Sequence, residues 1–137
     1  MIVDDSEDVR GTTRTILEEE GYLVDVASNG IEALKRIPVL PRPAVLLLDL
    51  MMPVMDGMTL LAELERRKEL VGIQVVVMTA ASASVETSTL PYPLLRKPFA
   101  LAALLEIVAM YLPSRAGGAG EGIATDGRAA TKLTTQG

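Results

Sequence analysis

Residues 44–49 read Ala-Val-Leu-Leu-Leu-Asp, five apolar side chains in a row that end at a carboxylate. Because the run lacks the polar-apolar alternation of a half-exposed strand, it predicts a strand that is buried on both faces. Such strands lie in the middle of parallel sheets, where helices cover both faces. Residues 73–78 are also nearly all apolar and are followed by Thr79. Together the two runs predict a parallel sheet with a buried centre.

The rest of the chain alternates between strand-like and helix-like segments. The predicted strands are 2–3, 22–27, 44–48, 73–78 and 94–96, and the predicted helices are 7–20, 29–37, 58–70 and 101–112. The small and polar residues 80–93 predict a loop or a short helix. This order predicts an α/β fold, a doubly wound five-stranded parallel sheet with helices on both faces. The predicted domain covers residues 1–115, and residues 116–137 are predicted to be a disordered tail or linker stub.

The composition excludes several classes of chemistry. The 137 residues contain no Cys and no His, which excludes disulfides, thiolate or imidazole metal sites and Ser-His-Asp triads. The net charge of −5 argues against direct nucleic-acid binding, because phosphate contacts need a basic surface. No apolar run reaches the length of a membrane span, and the acidic start is not a signal peptide. We therefore expect a cytoplasmic protein that does not contact a membrane.

Polar side chains follow the predicted strands. Asp4 and Asp5 come after the first strand, Asp49 after the third, Thr79 after the fourth and Lys97 after the fifth. The carboxyl ends of parallel strands share one edge of the sheet, where α/β proteins bind ligands. Three clustered carboxylates repel one another, and all-oxygen ligands favour a hard cation such as Mg²⁺. The set indicates phosphoryl chemistry with Asp49 as the nucleophile.

Four motifs in this order resemble the receiver domains of response regulators in bacterial two-component signalling. They are Ile2-Val3-Asp4-Asp5-Ser6, the run LDLMMPVMDG at 48–57, Met78-Thr79-Ala80 and Lys97-Pro98-Phe99. The resemblance covers about residues 1–112. It implies a flavodoxin-like sheet with the strand order 2-1-3-4-5. It also implies a protein that switches between two states when it is phosphorylated.

The resemblance assigns a role to each residue at the strand ends. Asp49 is the implied phosphoacceptor and, with Asp5 and the backbone carbonyl of Met51, a ligand of Mg²⁺, while Asp4 acts through water. Thr79 and Lys97 are implied to contact the phosphoryl oxygens.

The resemblance also implies the partners and the character of the reaction. The phosphodonor would be a histidine kinase or a His-phosphotransfer protein, because this chain has no His. The chain would be a stoichiometric phosphoacceptor rather than an enzyme, monomeric or weakly dimeric, with a downstream protein target. The Lys97-Pro98 bond is implied to be cis.

The sequence departs from the family pattern around the fifth strand. Leu94, three residues before Lys97, replaces an aromatic residue, and Tyr92 lies two residues earlier. The aromatic movement of other receivers is therefore not expected here. Met51 and Ala81 stand at the two positions that flank the phosphoryl site, and neither side chain can orient a water molecule. We therefore expect a long-lived phospho-aspartate.

Two other functions are open on the sequence alone. One is a receiver-like module that binds partner proteins without phosphorylation, which the changed region around Leu94 leaves open. The other is a small hydrolase of the haloacid dehalogenase type, which also uses an Asp at a strand end. That class needs a second Asp two residues later, where this chain has Met51, so hydrolysis of phosphate esters is not expected.

Overall fold

A computed structural model describes residues 1–80 and 90–113 of the chain. The strands are β1 (Ile2–Val3), β2 (Val26–Ala27), β3 (Ala44–Asp49), β4 (Ile73–Ala80) and β5 (Leu94–Lys97). They form one sheet in the order β2-β1-β3-β4-β5, and every pairing is parallel. The predicted parallel sheet and its order 2-1-3-4-5 are confirmed. The predicted loop or helix between β4 and β5 falls mostly on residues outside the described ranges, as does the predicted tail at 116–137.

Helices cover both faces of the sheet. They are α1 (Glu7–Glu19), α2 (Gly30–Arg36), α3 (Gly57–Arg66) and α4 (Leu101–Tyr111), and a 3-10 helix (Ile37–Val39) follows α2. Two apolar clusters separate the layers. One joins the sheet to α2 and α3 through Leu46, Leu48, Val75, Val77, Ala33, Leu60 and Leu64. The other joins it to α1 and α4 through Ile2, Leu47, Val76, Met78, Leu17, Leu104 and Val108.

Three of the helices begin at a polar side chain that caps their first turn. Ser6 accepts a hydrogen bond from the Val9 N–H at 3.3 Å, and Asp56 accepts one from the Thr59 N–H at 2.8 Å. Asn29 caps α2 in the same way, whereas Ala100 provides no side-chain cap for α4. The caps fix where each helix starts after the strand that precedes it. None of the helices in the described part of the chain is long and apolar enough to cross a membrane.

Two predicted elements are shorter in the structure. The strand predicted at 22–27 contains only Val26–Ala27, because Tyr22 packs into the core and its hydroxyl donates to the Leu112 carbonyl at 3.1 Å. The helix predicted at 58–70 ends at Arg66, and Lys68 follows with a positive φ of 56°. Both errors lie where tertiary contacts or a turn overrode a local apolar pattern.

Two glycines in helices should respond to alanine in opposite ways. A Cβ at Gly11 in α1 meets nothing within 4 Å, whereas one at Gly57 lies 2.7 Å from the Asp49 carbonyl oxygen and 2.8 Å from the Leu50 Cα. Gly11→Ala should stabilise the protein by about 0.5–1 kcal/mol, because alanine loses less backbone entropy in a helix. Gly57→Ala should destabilise it by about 1–3 kcal/mol, because backbone atoms must move. Urea unfolding measures both changes, and a Gly57→Ala protein as stable as the parent would contradict the packing.

Candidate functional site

Three carboxylates meet at the carboxyl edge of the sheet. One side-chain oxygen from each of Asp4, Asp5 and Asp49 lies within 4.8 Å of the others. The parallel register of β1 and β3 pairs Val3 with Leu48, so the residues that follow them, Asp4 and Asp49, come side by side. Asp4 and Asp49 are buried and Asp5 is exposed. The grouping expected from the strand ends is therefore present.

The ammonium group of Lys97 lies between the two buried carboxylates. Its Nζ is 2.6 Å from Asp4 Oδ2 and 3.4 Å from Asp49 Oδ2. The Lys97-Pro98 peptide bond is cis, as expected. Lys97 reaches the site because β5 is the neighbour of β4, with Ala80 in register with Lys97. One cation thus serves two acidic groups that belong to different strands.

Thr79 is fully buried on β4 beside this charge cluster. Met78 is the register partner of Asp49, so Thr79 lies one residue further along the adjacent strand. The hydroxyl makes a long contact of 3.5 Å to the Ala80 carbonyl. Its donor is therefore weakly engaged and available to an acceptor at the edge of the sheet. The predicted contact of Thr79 with a phosphoryl group stays a prediction.

Asp4 is held by more contacts than any other group at the site. Its Oδ1 accepts the Ser6 N–H at 2.8 Å, its own N–H donates to the Ala27 carbonyl at 3.2 Å, and its carbonyl accepts a bond from Arg10 Nη1 at 2.8 Å. Together with Lys97 these groups satisfy both its main chain and its carboxylate. Asp5 differs, because its side chain makes no hydrogen bond or ion pair with any described residue.

Burial and charge shift the pKa values of Asp49 and Lys97. Burial raises the pKa of Asp49 above its ordinary value and the charge of Asp4 adds to this, while the Met51 N–H and Lys97 partly offset it. Burial alone would lower the pKa of Lys97, but its hydrogen bond to Asp4 and the charges of Asp4 and Asp49 raise it overall. Lys97 is therefore a cation at neutral pH, and three carboxylates against one ammonium leave the site acidic.

The donor set of this acidic site fits a small hard cation. All of the ligand atoms that the cluster offers are carboxylate oxygens, which suit Mg²⁺ better than a softer metal. The exposed Asp5 leaves one side of the cluster open to water molecules, and Mg²⁺ usually keeps several of them. The structure therefore shows a cluster that can hold a metal ion.

The loop from β3 to α3 borders the cluster. The Met51 N–H donates to Asp49 Oδ1 at 3.0 Å, and the Gly57 N–H closes the loop on the Leu50 carbonyl at 3.0 Å. The Met51 side chain is 57% exposed, so it fills no part of the core. Val54 has a φ of 72°, a conformation that is uncommon for a β-branched residue. The predicted role of the Met51 carbonyl as a metal ligand stays a prediction.

The structure shows how Leu94, which stands where other receivers have an aromatic residue, and the nearby Tyr92 are packed. Leu94 is half-buried and packs against the cluster on the α2 and α3 side of the sheet. Tyr92 packs on the same cluster, and its hydroxyl donates to the Glu65 carboxylate on α3. Burial and Glu65 raise the pKa of Tyr92 to about 12, so the hydroxyl stays protonated and keeps donating. Tyr92 is thus bonded to α3.

Arg10 is the polar residue at the site that sequence reasoning missed. It lies within α1, half-buried, and reaches back to the Asp4 carbonyl. Arg10 is one of two arginines on α1, the other being Arg14, and nothing in its sequence position distinguishes it as a site residue. Only the path of the chain from β1 into α1 brings its guanidinium onto the segment Asp4-Asp5 between them, the acidic turn.

Comparison with known proteins places this geometry in a family. The family model "Response regulator receiver domain" matches residues 1–109. The response regulator MprA of Mycobacterium ulcerans is 36% identical over 111 residues, which are 77% of this chain and 46% of that protein. MprA of Mycobacterium leprae is 35% identical over the same shares. The chain therefore spans less than half the length of these relatives.

Solved structures give the same result for the fold. A CheY-like response regulator receiver domain protein from Methanospirillum hungatei has a TM-score of 0.72 and 29% identity, and the match covers 81% of this chain and 90% of that one. The receiver domain of a signal transduction histidine kinase from Syntrophus aciditrophicus has a TM-score of 0.71 and 29% identity, covering 81% and 86%.

The raised pKa of Asp49 predicts how asparagine at this position affects stability. The folded protein binds the Asp49 proton more tightly than the unfolded chain, whose pKa is near 3.8. Ionisation of Asp49 therefore lowers the free energy of unfolding as the pH rises from that value through the raised folded-state pKa. Asp49→Asn should therefore unfold at higher urea concentration than the parent at neutral pH without divalent cations. The difference should vanish as the pH falls below the unfolded-state value.

A matched control is Asp56→Asn, because Asp56 is exposed and asparagine caps a helix equally well. This variant should unfold like the parent at neutral pH. An Asp49→Asn protein that is clearly less stable than the parent at neutral pH would contradict the direction of the pKa shift.

Proposed function

Because the chain belongs to the response regulator receiver domain family, we propose that it is a phosphoacceptor in two-component signalling. Asp49 takes a phosphoryl group from a phosphohistidine of a partner protein, and the reaction needs Mg²⁺. The observation that supports this most directly is the contact of Lys97 with both Asp4 and Asp49 beside the exposed Asp5. An acidic cluster with two buried carboxylates, one exposed carboxylate and a single shared ammonium is suited to accept both a divalent cation and an anionic phosphoryl group.

The transfer exchanges one bond for another at phosphorus. A carboxylate oxygen of Asp49 forms the new P–O bond, the P–N bond to the partner's imidazole breaks, and the imidazole leaves with the electron pair and takes up a proton. Asp49 Oδ1 is oriented by the Met51 N–H, while Oδ2 faces Lys97. Lys97 then pairs with the phosphoryl oxygens, and the weakly engaged hydroxyl of Thr79 donates to them.

The metal-binding residues of the proposal follow β1 and lie at and just after the end of β3. Asp5, Asp49 and the Met51 carbonyl would bind Mg²⁺ directly, and Asp4 through water. A bound Mg²⁺ would neutralise part of the negative charge that builds up on the phosphoryl group and the attacking carboxylate. The protein holds these mutually repelling oxygens together. For Asp4 it does so with the Lys97 ammonium and the Ser6 N–H.

Phosphorylation would bias a two-state equilibrium of the edge around β4 and β5. The phosphoryl group adds charge next to Thr79 and Lys97, and both residues lie on these strands. The output then passes to a downstream protein rather than to nucleic acid. In this proposal the chain is consumed stoichiometrically, works in the cytoplasm as a monomer or weak dimer, and turns over no substrate.

The proposal predicts which carboxylate becomes phosphorylated. Incubation with acetyl phosphate and MgCl₂ should add one phosphoryl group to the parent protein by intact-mass spectrometry, and hydroxylamine should remove it because acyl phosphates react with it. Asp49→Asn should gain nothing, and EDTA should prevent labelling of the parent. Asp56→Asn keeps the helix cap and should be labelled like the parent.

The outcomes separate the two remaining functions. Equal labelling of Asp49→Asn would refute Asp49 as the acceptor. A folded parent protein that gains no phosphoryl group from acetyl phosphate or from phosphorylated histidine kinases would favour a phosphorylation-independent interaction module.

The side chain of Met51 predicts slow loss of the phosphoryl group. It is exposed and apolar beside Asp49, so it cannot orient a water molecule for attack, and Ala81, the other flanking position, lies outside the described residues. A radiolabel chase should give a half-life of minutes or longer, and Met51→Asn should shorten it. Met58→Asn changes an exposed methionine on α3 and should leave the half-life unchanged. Loss of the label from the parent within seconds would contradict this.

A further inference from the structure

Arg10 contacts the acidic turn but has no part in the proposed chemistry. It is half-buried on α1, and its Nη1 donates to the Asp4 carbonyl oxygen at 2.8 Å. This bond reaches over the start of the helix to Asp4, two residues before the cap Ser6. The contact is to the main chain, so its effect falls on the direction of the backbone between Asp4 and Asp5.

The Asp4 carbonyl belongs to the same planar peptide unit as the Asp5 N–H. Fixing the carbonyl therefore fixes the plane from which the Asp5 side chain departs. Asp4 has several other contacts that hold it in place, to the Ala27 carbonyl, the Ser6 N–H and Lys97. Asp5 is exposed and its side chain has no partner among the described residues. The orientation of Asp5 therefore depends on its backbone, and Arg10 holds the peptide unit that leads into it.

The charge of Arg10 also acts on a carboxylate of α2. The carboxylate of Glu32 accepts the Ser28 N–H at 2.6 Å and the Ser28 hydroxyl at 3.1 Å. These bonds lower the pKa of Glu32 most, burial opposes them, and the charges of Arg36 and Arg10 lower it further. Glu32 is thus a fixed negative charge near Arg10. Arg10 thus interacts with Glu32 through charge alone, and its hydrogen bond goes to the Asp4 carbonyl.

We propose that Arg10 is a positioning residue for the divalent-cation site, which it serves by holding the Asp4–Asp5 peptide unit so that Asp5 faces Asp49. The inference rests on the Mg²⁺ site of the proposed function. For the affinity of the site for Mg²⁺, this inference predicts the opposite of what charge repulsion alone predicts. A positive charge near the site repels Mg²⁺, so removing it should tighten binding if charge alone mattered. Loss of positioning should weaken binding instead.

The test is titration calorimetry with MgCl₂ on the unphosphorylated protein. Arg10→Met removes both the charge and the hydrogen bond, and the Kd for Mg²⁺ should rise about tenfold, as for other residues that orient metal ligands. Arg14→Met makes the same change one turn further along α1, at an arginine paired with Glu18, and the Kd should change less than about twofold because the charge is screened. Arg10→Lys keeps a donor and should give an intermediate Kd.

A second measurement separates positioning of the metal from a role in phosphoryl transfer. The initial rate of phosphorylation by acetyl phosphate is measured against Mg²⁺ concentration for the same proteins. For Arg10→Met the half-saturating concentration should rise while the rate at saturating Mg²⁺ returns to that of the parent. Far-UV circular dichroism and urea unfolding check that each variant is folded. If Arg10→Met does not fold, Arg10→Lys serves as the test.

Each result bears on the inference. An unchanged or lower Kd in folded Arg10→Met, or in Arg10→Lys where only that variant folds, overturns the positioning role and leaves the proposed function intact. A lower rate at saturation with an unchanged half-saturating concentration also overturns it. A parent protein that binds no Mg²⁺ overturns the metal part of the proposed function and this inference together.

Discussion

Asp4 is a charged group with no exposure to solvent, and removing a carboxylate from water costs on the order of several kcal/mol. The structure offsets this cost with one local contact, from the Ser6 N–H before α1, and one from a distant part of the chain, the Lys97 ammonium of β5. Because Lys97 lies on β5, which β3 and β4 separate from β1, this one interaction requires that β1, β3, β4 and β5 be assembled in order. The arrangement of the whole edge follows from it.

The same interaction sets the chemical character of the site. Lys97 is shared between Asp4 and Asp49, so it cannot neutralise both, and burial together with the charge of Asp4 keeps the pKa of Asp49 raised. Added positive charge stabilises this acidic edge of the sheet. The edge also provides one ammonium group, that of Lys97, with which an incoming anion can pair. The tight approach of Gly57 to the Asp49 carbonyl and the cap at Asp56 keep the following loop close to this edge.

Much of the fold followed from local patterns. The apolar runs at β3 and β4 have no polar alternation because both faces are buried, and Ser6, Asn29 and Asp56 cap helices as their chemistry suggests. The predicted strand at 22–27 was too long, because Tyr22 packs into the core and bonds to Leu112 at the end of α4 instead of extending β2. Arg42 is a similar case, since its guanidinium donates to the Leu40, Glu69 and Val71 carbonyls and joins the loop before β3 to the loop after α3. No spacing in the sequence marks such a set of carbonyl contacts.

The sequence by itself determined the parallel sheet and which side chains stand at its strand ends, because side-chain periodicity and strand termination are local properties of the chain. Only the tertiary structure decided which of those groups touch. It placed Lys97 closer to Asp4 than to Asp49, left Asp5 without a side-chain partner among the described residues, and brought Arg10 onto the Asp4 carbonyl. Contacts of this kind depend on strand order, on register and on the angle at which a helix leaves the sheet. Those quantities are fixed by the packing of the whole domain and by no short stretch of residues.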